Sequence, residues 1–177
     1  IVGAQGKGRS PANFIGSTYG DELRLASGFR SKVVSMSHKD RAAILLGGRL
    51  ANAAYWMSDS LFVTSSYYAE SIPDWVRRFN ASGRANSYFG SVWTRSLPEE
   101  AFAGLDDDDV PYEDGGKGLG RAFPHPITGK DRTQITPSYY HDLVASPFGS
   151  DLLTEFASAA ITGEQLGKRG VTDLLCI

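Results

Sequence analysis

The segment KVVSMSHKDRAAILLGG, residues 32–48, runs from a β-branched stretch through His38-Lys39-Asp40-Arg41 into an apolar, helix-like stretch. Open α/β sheets bind ligands in the crevice beyond the carboxyl ends of their strands, and Lys39 and Arg41 stand at such a strand end, immediately before a helix. Two cations there suit a phosphate. Arginine offers a planar fork of donors and lysine a compact point charge, and such cations stabilise charge on the nonbridging oxygens during phosphoryl transfer. The simpler reading of the spacing alone is a pair of surface residues beside a loop, with Asp40 as an ordinary ion-pair partner. From spacing alone the second reading is favoured, because short charged clusters at strand ends are common.

Other motifs carry less. His38, His125 and His141 stand far apart with no HxH or HxxxH pair, and neither histidine nor cysteine spacing makes a metal site. His38 beside the cations could touch a ligand, but reads more simply as a polar loop residue. Asp106 to Asp109 lacks the alternating ligands and bidentate glutamate of a calcium loop, and reads as a solvated acidic loop. GAQGKGRS is glycine-rich but lacks the Gly-Lys-Ser/Thr ending of a phosphate loop. The aromatic stripe Tyr55, Trp56, Phe62, Tyr67 and Tyr68 reads first as a packed hairpin core, though exposed members could line a substrate cleft.

The elements that must position these residues follow from pattern. Thr18 to Asp21 predicts a capping box opening a helix to about Ala26, with Leu23 on its buried face; Ser10-Pro11 predicts a short helical stretch before it. Lys32 to Ser37 reads as a central parallel strand, and Arg41 to Leu46 as a helix stopped by Gly47-Gly48. AAYWM and LFVTSSYY predict a β-hairpin, SIPDWVRRFNASG a helix burying Trp75, Val76 and Phe79, and Tyr88 to Trp93 a further aromatic helical piece. Residues 97–137, rich in Gly, Pro and Asp, read as a long excursion. Ser150 then caps a helix from Asp151 to about Leu166, with Leu152, Leu153, Phe156, Ala160 and Ile161 on its apolar face, and Val171 to Ile177 forms a strand. The fold class expected is α/β, a doubly wound sheet with a hairpin-bearing cap insertion: residues 1–50 as core, 51–137 as cap, and 138–177 as the return to the core.

Composition bounds the function. The chain has 177 residues, 41% of them hydrophobic and 21% charged, with a net charge of −2. That is enough for one domain, and without a long basic run it opposes a nucleic-acid partner held on a broad basic surface. No apolar stretch approaches the ~18 residues of a membrane span. The single cysteine, Cys176, excludes an internal disulfide. The chain begins at Ile1 without methionine and ends inside a buried-strand pattern, VTDLLCI, so an internal segment of a longer protein is expected.

SHKDRAAILLGGRLANAAYW resembles the alkaline phosphatase superfamily, in the group of type I phosphodiesterases and nucleotide pyrophosphatases, and most of all its phosphate-irrepressible bacterial alkaline phosphatases. SPANFIGSTYGDELRLAS, FVTSSYY, IPDWVRRFN and SPFGSDLLTEFASAAITGEQLGKRGVTDLLCI are similar to the same group. The resemblance implies an alkaline-phosphatase-like sheet and a zinc-dependent phosphate-ester hydrolase, exported to the periplasm or secreted, acting on small phosphate esters. It also implies that Lys39 and Arg41 contact the phosphoryl group as catalytic and substrate-binding residues, with Asp40 holding the turn. It implies two zinc ions as well, whose ligands, like the nucleophile, lie outside this chain in the remainder of the parent domain. The segment by itself is then expected to be inactive. A phosphomonoesterase is the first reading, since paired cations suit a dianion, and a type I phosphodiesterase or nucleotide pyrophosphatase is the second. A non-catalytic α/β binding module is the alternative of another class.

Overall fold

The computed structural model describes residues 1–112 and 118–177. They form two compact units, one of Ile1–Arg84 with Asp151–Ile177 and one of Ala85–Ser150.

The first unit is built on a four-stranded sheet. In chain order its elements are α1 (Tyr19–Ala26), β1 (Val33–Ser37), α2 (Asp40–Gly47), β2 (Ala53–Ser58), β3 (Leu61–Val63) and α3 (Asp74–Ala81). The strand order is β3-β2-β1-β6, where β6 is Leu174–Cys176. β1 is parallel to β2, with Val34 opposite Ala53, and parallel to β6, with Val33 opposite Leu174. β3 returns antiparallel to β2 through the hairpin at Asp59, whose φ is +50°. The predicted central parallel strand and the predicted hairpin are both present.

Both faces of this sheet are covered, so its strands are apolar on both sides rather than alternating. On one face, Ala43 and Ile44 of α2 pack with Ala54, Trp56 and Val63. On the other, Phe156 is fully buried and touches four rings. It stacks on Phe62 with centroids 3.7 Å apart and meets Tyr55, Trp75 and Phe79 at 5.1–5.5 Å. Phe156 belongs to a helix spanning Pro147–Gly163. That helix starts earlier than Ser150, because Pro147 supplies a preset φ at a helical start. Its buried positions include Leu152, Phe156 and Ala160, whereas Ile161 is exposed. Glu164, just past its end, accepts from Trp75 Nε1 at 2.9 Å and from Lys32 Nζ at 2.7 Å, tying α3 to the residue before β1.

The capping box at α1 forms as expected: Thr18 Oγ1 accepts from Asp21 N and Asp21 Oδ2 from Thr18 N. Asp21 does more than cap. It is 3% exposed and also accepts from Leu50 N at 2.6 Å, fastening α1 to the chain that leaves α2. Leu23 is only half-buried. Ser10-Pro11 opens no helix, only a turn in which Phe14 N donates to Pro11 O, since no apolar periodicity follows to hold one.

The boundary of the insertion differs from the expected one. β2 and β3 lie in the same sheet as β1, so residues from 51 to Arg84 belong with the first unit. Trp56 and Tyr55 are not cap residues; they pack the two faces of β2.

The second unit carries the 3-10 turns Arg84–Tyr88 (from its first residue, Ala85) and Glu99–Phe102. A two-stranded ladder of β4 (Val92–Trp93) and β5 (His125–Pro126) and the helix α4 (Pro137–Val144) complete it, and the Pro147–Gly163 helix is therefore α5. The expected helical piece at Tyr88 to Trp93 is thus a 3-10 turn followed by a strand. Within 97–137, Ile127 is fully buried, and α4 just beyond buries Tyr139 and Leu143, so the second unit has buried apolar side chains of its own. The acidic run there is paired rather than merely solvated: Asp108 accepts from Phe123 N at 2.6 Å and meets Arg95 at 3.1 Å, while Asp109 meets Arg121 at 2.7 Å. Residues 113–117 of that stretch fall outside the described residues. Among the described residues no helix is long and apolar enough to cross a membrane.

One glycine tests the packing of α1 against α2. Gly48 follows α2 with φ +81° and ψ −164°, a region essentially reserved for glycine, and a Cβ there would collide with Thr18 Oγ1 and Asp21 Oδ2. Gly83 also has positive φ, +66°, but faces open space. Gly48→Ala is expected to destabilise by several kcal/mol and Gly83→Ala by only about 1–2 kcal/mol, as the strain of a left-handed residue alone requires. Urea midpoints of the two variants measure the difference.

Candidate phosphoryl site

β1 ends at Ser37 and α2 begins at Asp40, so the chain has only His38 and Lys39 in which to turn. Lys39 is the N-cap residue, extended at φ −109° and ψ 139°, and its carbonyl accepts from Ala43 N at 3.1 Å. No side chain caps this helix at Lys39, which has only donors to offer. The N-terminus of α2 and its dipole therefore face the same space as the strand end, an arrangement that favours an anion, with the Arg41 N–H already taken by Asp40 Oδ1.

The turn is fixed from below. Ser35, fully buried in β1, donates its hydroxyl to Ala43 O at 2.7 Å and so bonds the strand to the first turn of the helix. Ser35 lies beneath Gly47 as well, where a Cβ would strike its hydroxyl. The helix thus sits as close to β1 as backbone allows.

Asp40 is the engaged member of the cluster. Its Oδ1 accepts from Arg41 N at 2.7 Å, and its Oδ2 accepts from Arg9 Nε at 2.8 Å. The expected ion-pair partner of Asp40 therefore exists, but it comes from 31 residues upstream, at the end of the glycine-rich GAQGKGRS stretch. No local spacing signals that pairing. The only hint in the sequence is a lone arginine closing a segment too rich in glycine to form an element.

Lys39 and Arg41 are both exposed, and among the described residues no ion pair engages either. The structure brings them together on one turn and leaves both available to a ligand. His38 is half-buried and directed inward, its Nδ1 3.4 Å from Met57 Sδ on the neighbouring strand. It is a loop residue as expected, but one turned towards the sheet end rather than towards solvent. Cys176 lies on the other side of β1, opposite Ser35, and burial pushes its thiol pKa up, away from nucleophilic character at neutral pH.

His125 and His141 belong to the second unit. His125 is buried against Trp93 and Phe123, with Nδ1 3.0 Å from Leu119 O. Among the described residues no three His, Cys, Asp or Glu side chains converge to hold a metal ion. The described residues by themselves do not make a zinc centre.

No family model matches the chain. It is 42% identical over 171 residues to an alkaline phosphatase, PhoV, of Synechococcus elongatus, covering 95% of this chain and 30% of that protein. It is 36% identical over 183 residues to a calcium-transporting ATPase of Myroides odoratus, covering 99% of this chain and 33% of that protein. Among solved structures, that of the wild-type alkaline phosphatase PafA superposes with a TM-score of 0.79 at 33% identity, over 95% of this chain and 32% of that one. A PafA variant with a threonine, an asparagine, a lysine and an arginine substituted superposes with a TM-score of 0.82 at 33% identity, over 99% of this chain and 34% of that one. The chain spans about a third of the length of the relatives it matches. Over nearly all its residues, in sequence and in backbone, the chain belongs to the alkaline phosphatase family, among its PafA- and PhoV-like members.

Proposed function

We propose that this chain is the phosphoryl-facing segment of a phosphate monoester hydrolase, with Lys39 and Arg41 contacting the phosphoryl oxygens. One observation carries the reading. Two exposed cations stand on a single turn at the carboxyl end of a central parallel strand, while the acid between them is held by Arg9. The substituted PafA structure supports it further, because the lysine and arginine replaced there are separated by one residue, as Lys39 and Arg41 are. The names of the two relatives also share a chemistry, cleavage of a phosphorus–oxygen bond.

In such a hydrolysis a nucleophilic oxygen attacks phosphorus, the bond from phosphorus to the ester oxygen breaks, and the electron pair leaves with that oxygen. Negative charge is spread over the nonbridging oxygens throughout. Arg41 offers two parallel N–H donors to two of those oxygens and Lys39 a mobile point charge to a third, with the α2 N-terminus behind them. Asp40 acts as a positioning residue: it holds Arg41's own backbone and Arg9, and so keeps the turn from swinging. The nucleophile and the two zinc ions of the family reading belong, on this proposal, to the rest of a PafA-like domain, and the enzyme works outside the cytoplasm.

A monoester presents three nonbridging oxygens and two charges, a diester two oxygens and one charge. Paired cations therefore favour the monoester. In the full-length gene product, Lys39→Ala and Arg41→Ala are each expected to lower kcat/KM for a simple alkyl phosphate by roughly 10²–10³-fold, the loss typical of one preorganised donor to a developing charge. Wild-type rates in either variant would remove that residue from the site. Asp40→Asn, which weakens a partly exposed ion pair, is expected to cost about tenfold or less. The same enzyme is expected to prefer methyl phosphate to dimethyl phosphate, and Lys39→Ala to narrow that preference; a diester preference in the wild type would reassign the chain to phosphodiesterase chemistry.

A further inference from the structure

A cavity of about 330 Å³ lies against Arg41, between the turn at residues 9–14 and the first two turns of α2. Its walls are Pro11, Phe14, Ile44 and Leu45, and both Arg9 and Arg41 line it. Leu45 stands four residues after Arg41 and thus on the same helix face. It is 54% exposed, although Ile44 beside it is buried. Arg9 is spent on Asp40, and that ion pair draws the turn at residues 9–14 towards the start of α2. The result is an apolar recess with one uncommitted guanidinium among its walls, of a size in the range of roughly 300–1,000 Å³ typical of small-ligand sites.

Charge complementarity selects the occupant. An apolar recess lined by a free cation fits a molecule with an anionic head and an apolar body. We propose that this pocket is the subsite for the organic group of the phosphate ester, with an aromatic-sized apolar group lying on Phe14 and Leu45 while the phosphoryl group is held at Lys39 and Arg41. Phe14 and Leu45 are then specificity-determining residues, and the turn at residues 9–14 sets which esters bind well. This rests on the phosphoryl site proposed above. It goes beyond it, because the phosphoryl contacts treat all monoesters alike and the pocket does not.

The test compares phenethyl phosphate with ethyl phosphate in the full-length gene product. Both are primary alkyl esters, so the leaving oxygens are matched and the organic group is the variable. Leu45→Ser is expected to lower the ratio of kcat/KM for phenethyl over ethyl phosphate by roughly tenfold, mainly through KM, and Phe14→Ala to lower it about fivefold, magnitudes set by an apolar contact in a binding pocket. Arg41→Ala is expected to lower both esters alike and leave the ratio within about twofold. A fall in the ratio in either pocket variant carries the proposal. A ratio unchanged in both overturns it, as does a Leu45→Ser protein that no longer folds, since this face is then covered by protein and not by substrate. No hydrolysis of either ester by the wild type overturns the phosphoryl site itself, and the subsite with it.

Discussion

The close approach of α2 to β1 is the constraint on which the rest depends. Ser35, on the buried strand, spends its hydroxyl on the helix carbonyl of Ala43, and Gly47 leaves the space above it empty of any side chain. A buried hydroxyl is tolerated only when it is bonded, and here the bond is what joins strand to helix. Because the helix must start within two residues of the strand's end, Lys39 and Arg41 have no freedom to leave the turn. A looser helix would place the same two residues on a mobile loop. At the opposite end of α2, Gly48 admits Thr18 and Asp21, and Asp21 in turn fastens Leu50 on its way into β2.

Charge balance separates the candidate site from the other charged clusters. In the second unit two of the four carboxylates of the acidic run, Asp108 and Asp109, are met by Arg95 and Arg121. At Lys32 the ammonium is consumed by Glu164. At residues 39–41 the arrangement is inverted: the acid is paired with an arginine from elsewhere, and the two cations are left over. An uncommitted pair of cations in front of a helix N-terminus has an unfavourable self-repulsion, which an anionic ligand would relieve. Burial alone would not have made this distinction, since exposed arginines occur throughout the chain.

The family assignment rests on the chain as a whole, and the candidate turn rests on its geometry. The match to PafA extends over nearly the whole chain, and the sheet with both faces covered lies within it. Phe156, ringed by Tyr55, Phe62, Trp75 and Phe79, closes the face opposite α2. Large rings contribute heavily to such a core, because each buries a wide apolar area at small entropic cost. The sheet is thus rigid on the side away from the site and leaves the strand ends as the place where chemistry can vary.

Much of this was legible in the sequence because it is local. The capping box at Thr18, the β-branched run before His38, the stop at Gly47-Gly48, and the apolar face of α3 are each written within a few residues, and backbone sterics and side-chain periodicity act over that range. The KDR turn was legible too, as a motif. Tertiary structure decided what is non-local. It put β2 and β3 into the central sheet rather than in a cap, because pairing with β1 buries Tyr55 and Trp56 on two faces at once. It buried Ile127, within residues 97–137, where no periodicity announces an apolar position. It brought Arg9 across to Asp40, which freed Lys39 and Arg41 and shaped the recess beside them. Local sequence names the residues that carry charge; only packing determines which of those charges are already spent.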